Sequence, residues 1–129
     1  MDGVGWVLIG LGHDIQQVTE MENAEALRQP DLFFTRREID NCRLQTDFVQ
    51  SLAASFSAKE AFFKASPPLV DFFWTDVEVM RDRHGKPLYC LGGLVGRIFS
   101  EAGWRATLSI SHSGDYVSVV ALITDSGSI

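Results

Sequence analysis

The sequence contains few cysteines and no long hydrophobic run. Cys42 and Cys90 are its 2 cysteines, and their spacing fits no zinc motif, so we predict two reduced thiols rather than a disulfide or a metal site. The apolar stretches are much shorter than the ~20 residues that span a bilayer. Asp2 stands where a signal peptide carries positive charge. We therefore expect a cytoplasmic protein with no membrane partner.

Basic residues are also scarce. The chain has 11 Lys and Arg residues against 17 Asp and Glu residues, a formal net charge of -6. Nucleic-acid binding needs a basic surface that neutralises phosphates, so we exclude a nucleic-acid partner. The acidic residues concentrate between Asp14 and Asp31. This segment is either a solvated helix face or a surface on which a partner docks, and the sequence leaves both interpretations open.

The sequence is apolar enough to form one folded domain over residues 1–129. Hydrophobic residues make up 46% of the chain, and a chain of this length buries a core without covalent staples. Antiparallel strands with segregated helices predict an α+β fold around a long central helix. Hydrophobic spacing, caps and turn residues predict a strand over residues 4–13, helices over 15–28 and 36–43, a long helix from the cap Thr46 to Ala65, a hairpin over 75–81 and 87–91, a helix over 94–102, and strands over 104–113 and 116–124.

Two segments place ionisable residues among apolar ones. Asp14 follows a glycine-rich strand, where an aspartate is as often a helix cap as a ligand. Glu60 and Lys64 are four residues apart on the long helix and therefore share a face. As a simple surface ion pair they would contribute only ~0.3–0.5 kcal/mol. Their aromatic neighbours indicate a largely buried helix, in which unpaired charges are costly, so we favour a functional role.

A third segment, residues 108–116, collects hydroxyl groups and one imidazole at a strand end. Ser111 and His112 are adjacent, but neighbours on a strand point to opposite faces, which disfavours a nucleophile and base pair. Hydrogen-bond donors for a phosphate group are the better interpretation.

Five segments together resemble the holo-acyl-carrier-protein synthase family of 4′-phosphopantetheinyl transferases. They occur in the family's order and cover nearly the whole chain. The most specific is F-x-x-K-E-A-x-x-K-A, preceded far upstream by G-x-D-I. The segments are Gly12-His13-Asp14-Ile15, residues 34–42 with Phe34, Thr35, Glu38 and Cys42, residues 56–65, residues 77–91 with Gly85-Lys86-Pro87, and residues 109–116.

The resemblance implies the reaction and its main participants. The 4′-phosphopantetheine arm of coenzyme A is transferred to a serine hydroxyl of an acyl carrier protein or carrier domain, and adenosine 3′,5′-bisphosphate is released. Asp14 and Glu60 are the expected ligands of Mg²⁺, which neutralises phosphate charge. Lys64 is expected to hold a phosphate oxygen or protonate the leaving group, and Glu60 to accept the serine proton.

The resemblance also implies a homotrimer with active sites in clefts between subunits. Residues 117–123 form a strand that is apolar on both faces, which agrees with such an assembly because the second face needs cover. The resemblance further implies a set of residues on the nucleotide side of the site. They are Lys59, Gly85, Lys86, Pro87, Ser111 and His112. For Gly85 and Pro87, a role in the turn or in the core is equally possible.

The chain departs from the family's usual pattern at Gln17, Glu20, Ser55 and Ser66-Pro67-Pro68. The family presents a basic face to an acidic carrier, whereas the face around Glu20 is acidic here. We therefore expect either a carrier from a dedicated pathway such as polyketide biosynthesis, rather than general fatty acid biosynthesis, or a non-catalytic relative that binds coenzyme A or a partner. The joint presence of Asp14, Glu60 and Lys64 favours the enzyme.

Overall fold

The computed structural model describes residues 7–22, 24, 31–69 and 72–125. Antiparallel strands and separate helices make up these residues, which confirms the α+β prediction. In chain order the elements are β1 (Val7–Gln17), α1 (Val18–Glu22), α2 (Arg36–Arg43), α3 (Phe48–Ala65), a 3₁₀ turn (Trp74–Asp76), β2 (Val77–Arg81), β3 (Pro87–Leu91), α4 (Gly93–Ala102), β4 (Trp104–Ser113) and β5 (Tyr116–Asp125).

The strands form two antiparallel sheets. The larger has the order β1-β5-β4, and β2 pairs with β3 in a separate hairpin. In the larger sheet Asp14 lies opposite Val119, and Ser111 lies opposite Ser118. Because side chains alternate between faces, Asp14, Val119 and Ala121 point towards α3, whereas Ile15 and Leu122 point away.

Helix α3 lies at the centre of the core, and most of its residues are buried. Its C-terminal half, including Phe62, packs with β2, α4 and the inner face of the sheet. Its N-terminal half, including Leu52, packs with α1 and α2. One helix therefore carries side chains for both apolar clusters, which explains why its sequence is apolar on almost every side.

Strand β1 crosses α3 with almost no space between the two backbones. A Cβ atom at Gly10 would overlap the carbonyl oxygen of Ala65, and one at Gly12 would overlap the carbonyl oxygen of Ala61. Glycine is therefore required at both positions by close approach. This contact fixes where the next inward-facing residue of β1, Asp14, meets α3.

Local end signals predicted most element boundaries. Thr35 and Glu38 form the expected reciprocal capping box at α2, and Gly103 ends α4 in the left-handed conformation. The predicted cap of α3 is wrong by one residue. Asp47 caps α3, because its side chain accepts a hydrogen bond from the backbone N–H of Gln50 at 3.0 Å.

The prediction for residues 14–17 is wrong. The strand does not end before Asp14, and no helix begins at Ile15; β1 continues to Gln17 because β5 pairs with it as far as Tyr116. Helix α1 starts only at Val18 and ends at Glu22. Asp14 therefore lies inside a strand and is not a helix cap. Residues 25–28 of the predicted helix lie outside the described residues.

The predicted strand over 75–81 begins only at Val77, because Trp74–Asp76 form the 3₁₀ turn. Within the described ranges, no helix is long and apolar enough to cross a membrane.

We predict that Gly12→Ala destabilises the protein by roughly 3 kcal/mol, the upper end of the range for overpacking, because backbone atoms of α3 block the added methyl group. Gly92→Ala is the matched control, since no atom lies within 4 Å of a Cβ at Gly92. It should cost less than about 1 kcal/mol. Urea unfolding followed by tryptophan fluorescence measures both. Equal stability of the two variants would contradict the close contact.

Candidate active site

Asp14 meets two side chains of α3. The Ser57 hydroxyl donates a hydrogen bond to Asp14 Oδ2 at 2.7 Å, and Lys64 Nζ forms an ion pair with Asp14 Oδ1 at 3.0 Å. The Asp14 side chain is only 13% exposed, whereas that of Lys64 is 51% exposed. One oxygen of this carboxylate is thus held by a buried donor and the other by a donor that reaches solvent.

Lys64 has a second partner in β1, the backbone carbonyl oxygen of His13 at 3.1 Å. The simple interpretation, an ion pair between Glu60 and Lys64 within one helix, is therefore wrong: among the described residues, Asp14 is the carboxylate that pairs with Lys64. The ammonium group spans from α3 to β1 and lies beside the Asp14 carboxylate. A half-exposed ammonium group in this position is able to reorient towards an anion that enters from solvent.

Glu60 lies on α3 between Ser57 and Lys64 and is partly buried. Burial raises the pKa of Glu60, the negative charge of Asp14 raises it further, and Lys64 opposes both effects. The two carboxylates therefore interact electrostatically although they are far apart in the sequence. A carboxylate pair of this kind lowers its mutual repulsion when it binds a cation.

The donor set suits a hard divalent cation. In the part of the chain that the structure describes, no group of three or more His, Cys, Asp or Glu side chains could hold a metal ion by itself. Mg²⁺ commonly uses one or two carboxylates and takes its remaining ligands from water and substrate phosphates. Asp14 and Glu60 fit that pattern, whereas a closed structural zinc site would need four protein ligands.

Lys59 does not occupy the nucleotide-side position that the resemblance implied. Its side chain is 0% exposed, and its ammonium group contacts Glu38 Oε1 at 2.7 Å, the Phe33 carbonyl at 2.8 Å and the Trp74 carbonyl at 2.9 Å. Burial raises the pKa of Glu38 and lowers that of Lys59, and their mutual attraction opposes both shifts. Lys59 therefore joins α3 to α2 and to the Trp74 loop inside the core.

The other implied nucleotide-side residues are only partly brought together. Gly85, Pro87 and His112 line one cavity of about 450 Å³ beside the N-terminal half of α3. Lys86 is exposed next to it in the hairpin turn, where its backbone N–H donates to Asp82 Oδ1 at 3.0 Å. Ser111 points to the opposite face of the sheet and lines a smaller depression.

Arg81 lines the same cavity and was missed in the sequence. Its guanidinium group makes long contacts to the Ser51 carbonyl at 3.4 Å and the Ser55 hydroxyl at 3.5 Å. No carboxylate among the described residues forms an ion pair with Arg81. In the sequence, Arg81 stands out only by its position at the end of a strand, directly before the turn at Asp82. Many surface arginines occupy such positions, so this position alone does not indicate a binding residue.

Comparison with known proteins identifies the family. Residues 10–121 match the model of the 4′-phosphopantetheinyl transferase superfamily. The chain belongs to this superfamily. It is 31% identical over 121 residues to the holo-[acyl-carrier-protein] synthase of Fusobacterium nucleatum, covering 91% of this chain and 99% of the relative. It is 34% identical over 115 residues to that of Geotalea daltonii, covering 84% and 92%. The predictions of the family and of an enzyme are confirmed.

Solved structures of the transferase family share the fold. The holo-[acyl-carrier-protein] synthase from Neisseria meningitidis matches with a TM-score of 0.77 and 25% identity, covering 91% of this chain and 98% of that one. The ACPS–CoA complex of Chronobacterium ammoniagenes matches with a TM-score of 0.73 and 27% identity, covering 92% and 96%. The predicted phosphopantetheinyl transferase fold is therefore confirmed.

Most of the positions at which this transferase departs from the family pattern make local contacts, and nothing in the structure explains Gln17. Glu20 is exposed and accepts a hydrogen bond from the Gln16 amide at 3.1 Å. Ser55 is buried against Cys42, with 3.7 Å between Oγ and Sγ. The Ser66 hydroxyl bonds the Phe62 carbonyl at 2.8 Å and so helps to end α3. The prolines that follow line an apolar cavity of about 460 Å³ next to Lys64.

We predict that Lys59→Met destabilises the transferase by about 3–5 kcal/mol, because Glu38 is left as a buried, unpaired charge. Adding Glu38→Gln should restore part of this loss, since the amide oxygen still accepts hydrogen bonds while the charge is removed. Chemical denaturation of the single and double variants measures this coupling.

The exposed ion pair of Asp40 and Arg43 provides the control, with both side chains 63% exposed. Asp40→Asn should change the free energy of unfolding by less than about 1 kcal/mol. A Lys59→Met variant as stable as Asp40→Asn would mean that Lys59 is not held in the core.

Proposed function

We propose that this chain transfers the 4′-phosphopantetheine arm of coenzyme A to a serine hydroxyl of an acyl carrier protein or carrier domain, releasing adenosine 3′,5′-bisphosphate. The observation that carries the proposal is the cluster of Asp14, Glu60 and Lys64 at the crossing of β1 and α3. Two relatives of the chain are holo-[acyl-carrier-protein] synthases, which supports the same reaction class and the same partner.

In this proposal Asp14 and Glu60 hold Mg²⁺. When bound, the ion would neutralise charge on the phosphate groups of coenzyme A and stabilise the leaving group. The chain supplies two carboxylates on rigid elements, one in a strand and one in a helix. Burial raises the pKa of Glu60, and the charge of Asp14 raises it further. A bound cation would relieve the repulsion between the two carboxylates.

Lys64 and Glu60 have the proposed chemical roles. Lys64 turns from Asp14 to a phosphate oxygen of coenzyme A and offsets the charge that develops there. Glu60 accepts the proton of the carrier serine while the serine oxygen attacks a phosphorus atom of the coenzyme A pyrophosphate and adenosine 3′,5′-bisphosphate leaves.

The cavity beside the N-terminal half of α3 is the proposed nucleotide site. His112 and Arg81 supply hydrogen-bond donors, and Gly85 and Pro87 supply the wall of the hairpin turn. Lys86 lies exposed at this turn, where its charge is available to a phosphate. The cavity and the Asp14 cluster both adjoin α3, which supports a nucleotide bound beside the cluster.

A homotrimer is part of the proposal because the outer face of the sheet is apolar and exposed. Leu11 and Ile15 are 59% and 60% exposed on this face, and Leu122 is 38% exposed. A contact between subunits would cover these side chains. Ser111 lies on the same face, opposite Ser118, and in this assembly it would complete the nucleotide site of a neighbouring subunit.

The proposed carrier has a recognition surface that is less acidic than usual. Glu20 and Glu22 are exposed on α1, and like charges on two docking surfaces slow association and weaken binding. This favours a carrier of a dedicated pathway such as polyketide biosynthesis. A cytoplasmic location, as expected from the sequence, remains a prediction.

The first functional prediction concerns transfer. Incubation of the wild-type chain with coenzyme A, Mg²⁺ and candidate apo carriers should add the phosphopantetheine mass to a carrier, measured by intact-protein mass spectrometry. Asp14→Asn and Glu60→Gln should each lower the transfer rate at least 100-fold while the far-UV circular dichroism spectrum stays unchanged. Each variant lacks one of the two negative charges that would hold Mg²⁺ beside the phosphate groups of coenzyme A.

Arg97→Met on the exposed face of α4 is the control for loss of one surface charge, and it should transfer at the wild-type rate. Normal transfer by Glu60→Gln would refute the carboxylate assignment. If the chain binds coenzyme A but transfers nothing to any carrier, the alternative function, a non-catalytic protein that binds coenzyme A or a partner, is supported instead.

The second functional prediction concerns assembly. Light scattering at micromolar concentration should report a trimer for the wild-type chain. Leu122→Glu should dissociate it into folded monomers, because the substitution places charge on the apolar outer face. A fully active wild-type monomer would contradict the shared site.

A further inference from the structure

We propose that Ser57 is a positioning residue that sets the Asp14 carboxylate for the divalent cation. This inference rests on the proposed function, since it assumes that Asp14 holds the cation. No sequence pattern around Ser57 indicates a role for it. Its hydroxyl donates to Asp14 Oδ2 at 2.7 Å across 43 residues of sequence.

The burial of Ser57 makes this hydrogen bond specific. Its side chain is 0% exposed, so its hydroxyl has no water to replace a lost partner. Among the described residues, Asp14 is the side chain that accepts its proton. A short hydrogen bond to a charged acceptor, made by a donor that cannot reach solvent, restricts the rotation of the Asp14 carboxylate.

Ser57 also shares a face of α3 with the two other residues of the cluster. Ser57, Glu60 and Lys64 follow one another at spacings of three and four residues, which is one stripe of a helix. The stripe faces Asp14 with a neutral donor at one end and a cationic donor at the other. Glu60 lies between these two donors.

The two donors differ in what happens when substrate binds. Lys64 is half exposed, and in the proposed reaction it leaves Asp14 for a phosphate oxygen. Ser57 is fixed in the core and keeps its hydrogen bond. Ser57 is therefore the contact that holds Asp14 in place at the moment when the cation and the substrate are both present. Removal of such an outer partner typically lowers metal affinity 10–100-fold.

The test measures cation affinity rather than turnover. Mn²⁺ replaces Mg²⁺ as the probe because both ions prefer oxygen ligands, and free Mn²⁺ is counted by electron paramagnetic resonance. The full-length chain is titrated without carrier, at coenzyme A concentrations that saturate each variant. Ser57→Ala should weaken Mn²⁺ binding 10–100-fold, whereas Ser57→Thr, which keeps the hydroxyl, should stay within about threefold of the wild type.

Ser55→Ala is the matched control, because Ser55 is also a buried serine of α3 but its hydroxyl faces Cys42 and Arg81. Both alanine variants lose one buried hydroxyl. Urea unfolding should report the larger loss of stability for Ser57→Ala, because Ser57 loses a 2.7 Å hydrogen bond to a charged acceptor, whereas the contacts of Ser55 are 3.5 Å and 3.7 Å long. Only Ser57→Ala should lose Mn²⁺ affinity. Equal Mn²⁺ affinity of the two alanine variants overturns the inference.

Asp14→Asn separates this inference from the proposed function. If Asp14→Asn abolishes Mn²⁺ binding and Ser57→Ala leaves it unchanged, the metal site stands and the role of Ser57 is refuted. If the wild-type chain has no Mn²⁺ site that depends on Asp14, both the metal assignment and the role of Ser57 are refuted.

Discussion

The direct backbone contact between β1 and α3 is the constraint on which the candidate site depends. Gly10 and Gly12 let the strand approach the carbonyl oxygens of Ala65 and Ala61. Asp14 is the next inward-facing residue of β1, and at this short distance its carboxylate reaches Ser57 and Lys64. A longer separation between strand and helix would leave Asp14 and Glu60 too far apart to interact, so the two glycines are needed for the candidate site as well as for packing.

The opposite side of α3 is held by a different ionic contact. Lys59 and Glu60 are neighbours in sequence, but a helix turns by about 100° per residue, and their side chains enter different environments. Lys59 is fully buried with Glu38. Glu60 interacts with Asp14 and is partly exposed to solvent. The buried pair ties α3 to α2, and through Glu38 Oε2 to the Val79 N–H of β2 at 2.9 Å. It thereby fixes the rotation of the helix that presents Glu60 and Lys64.

The sequence predicted those features that depend on neighbouring residues. The capping box of Thr35 and Glu38 and the left-handed glycine at 103 are local signals, and both were found where expected. Features that depend on distant partners were not predicted. Strand β1 continues through Ile15 because β5 pairs with it, and Lys59 is buried because its partners come from residues 33, 38 and 74. Arg81 and Ser57 gain their positions only from tertiary packing, and no pattern around them indicates it.

If β1 and α3 bring Asp14 and Glu60 together as the ligands of one divalent cation, crystals grown with Mn²⁺ and coenzyme A will show where that cation binds. We expect one strong peak in an anomalous difference map, bound by carboxylate oxygens of both residues together with a phosphate oxygen of coenzyme A. A map in which Mn²⁺ binds elsewhere, or in which Lys64 remains on Asp14 while coenzyme A is bound and no peak lies beside Glu60, would contradict this arrangement.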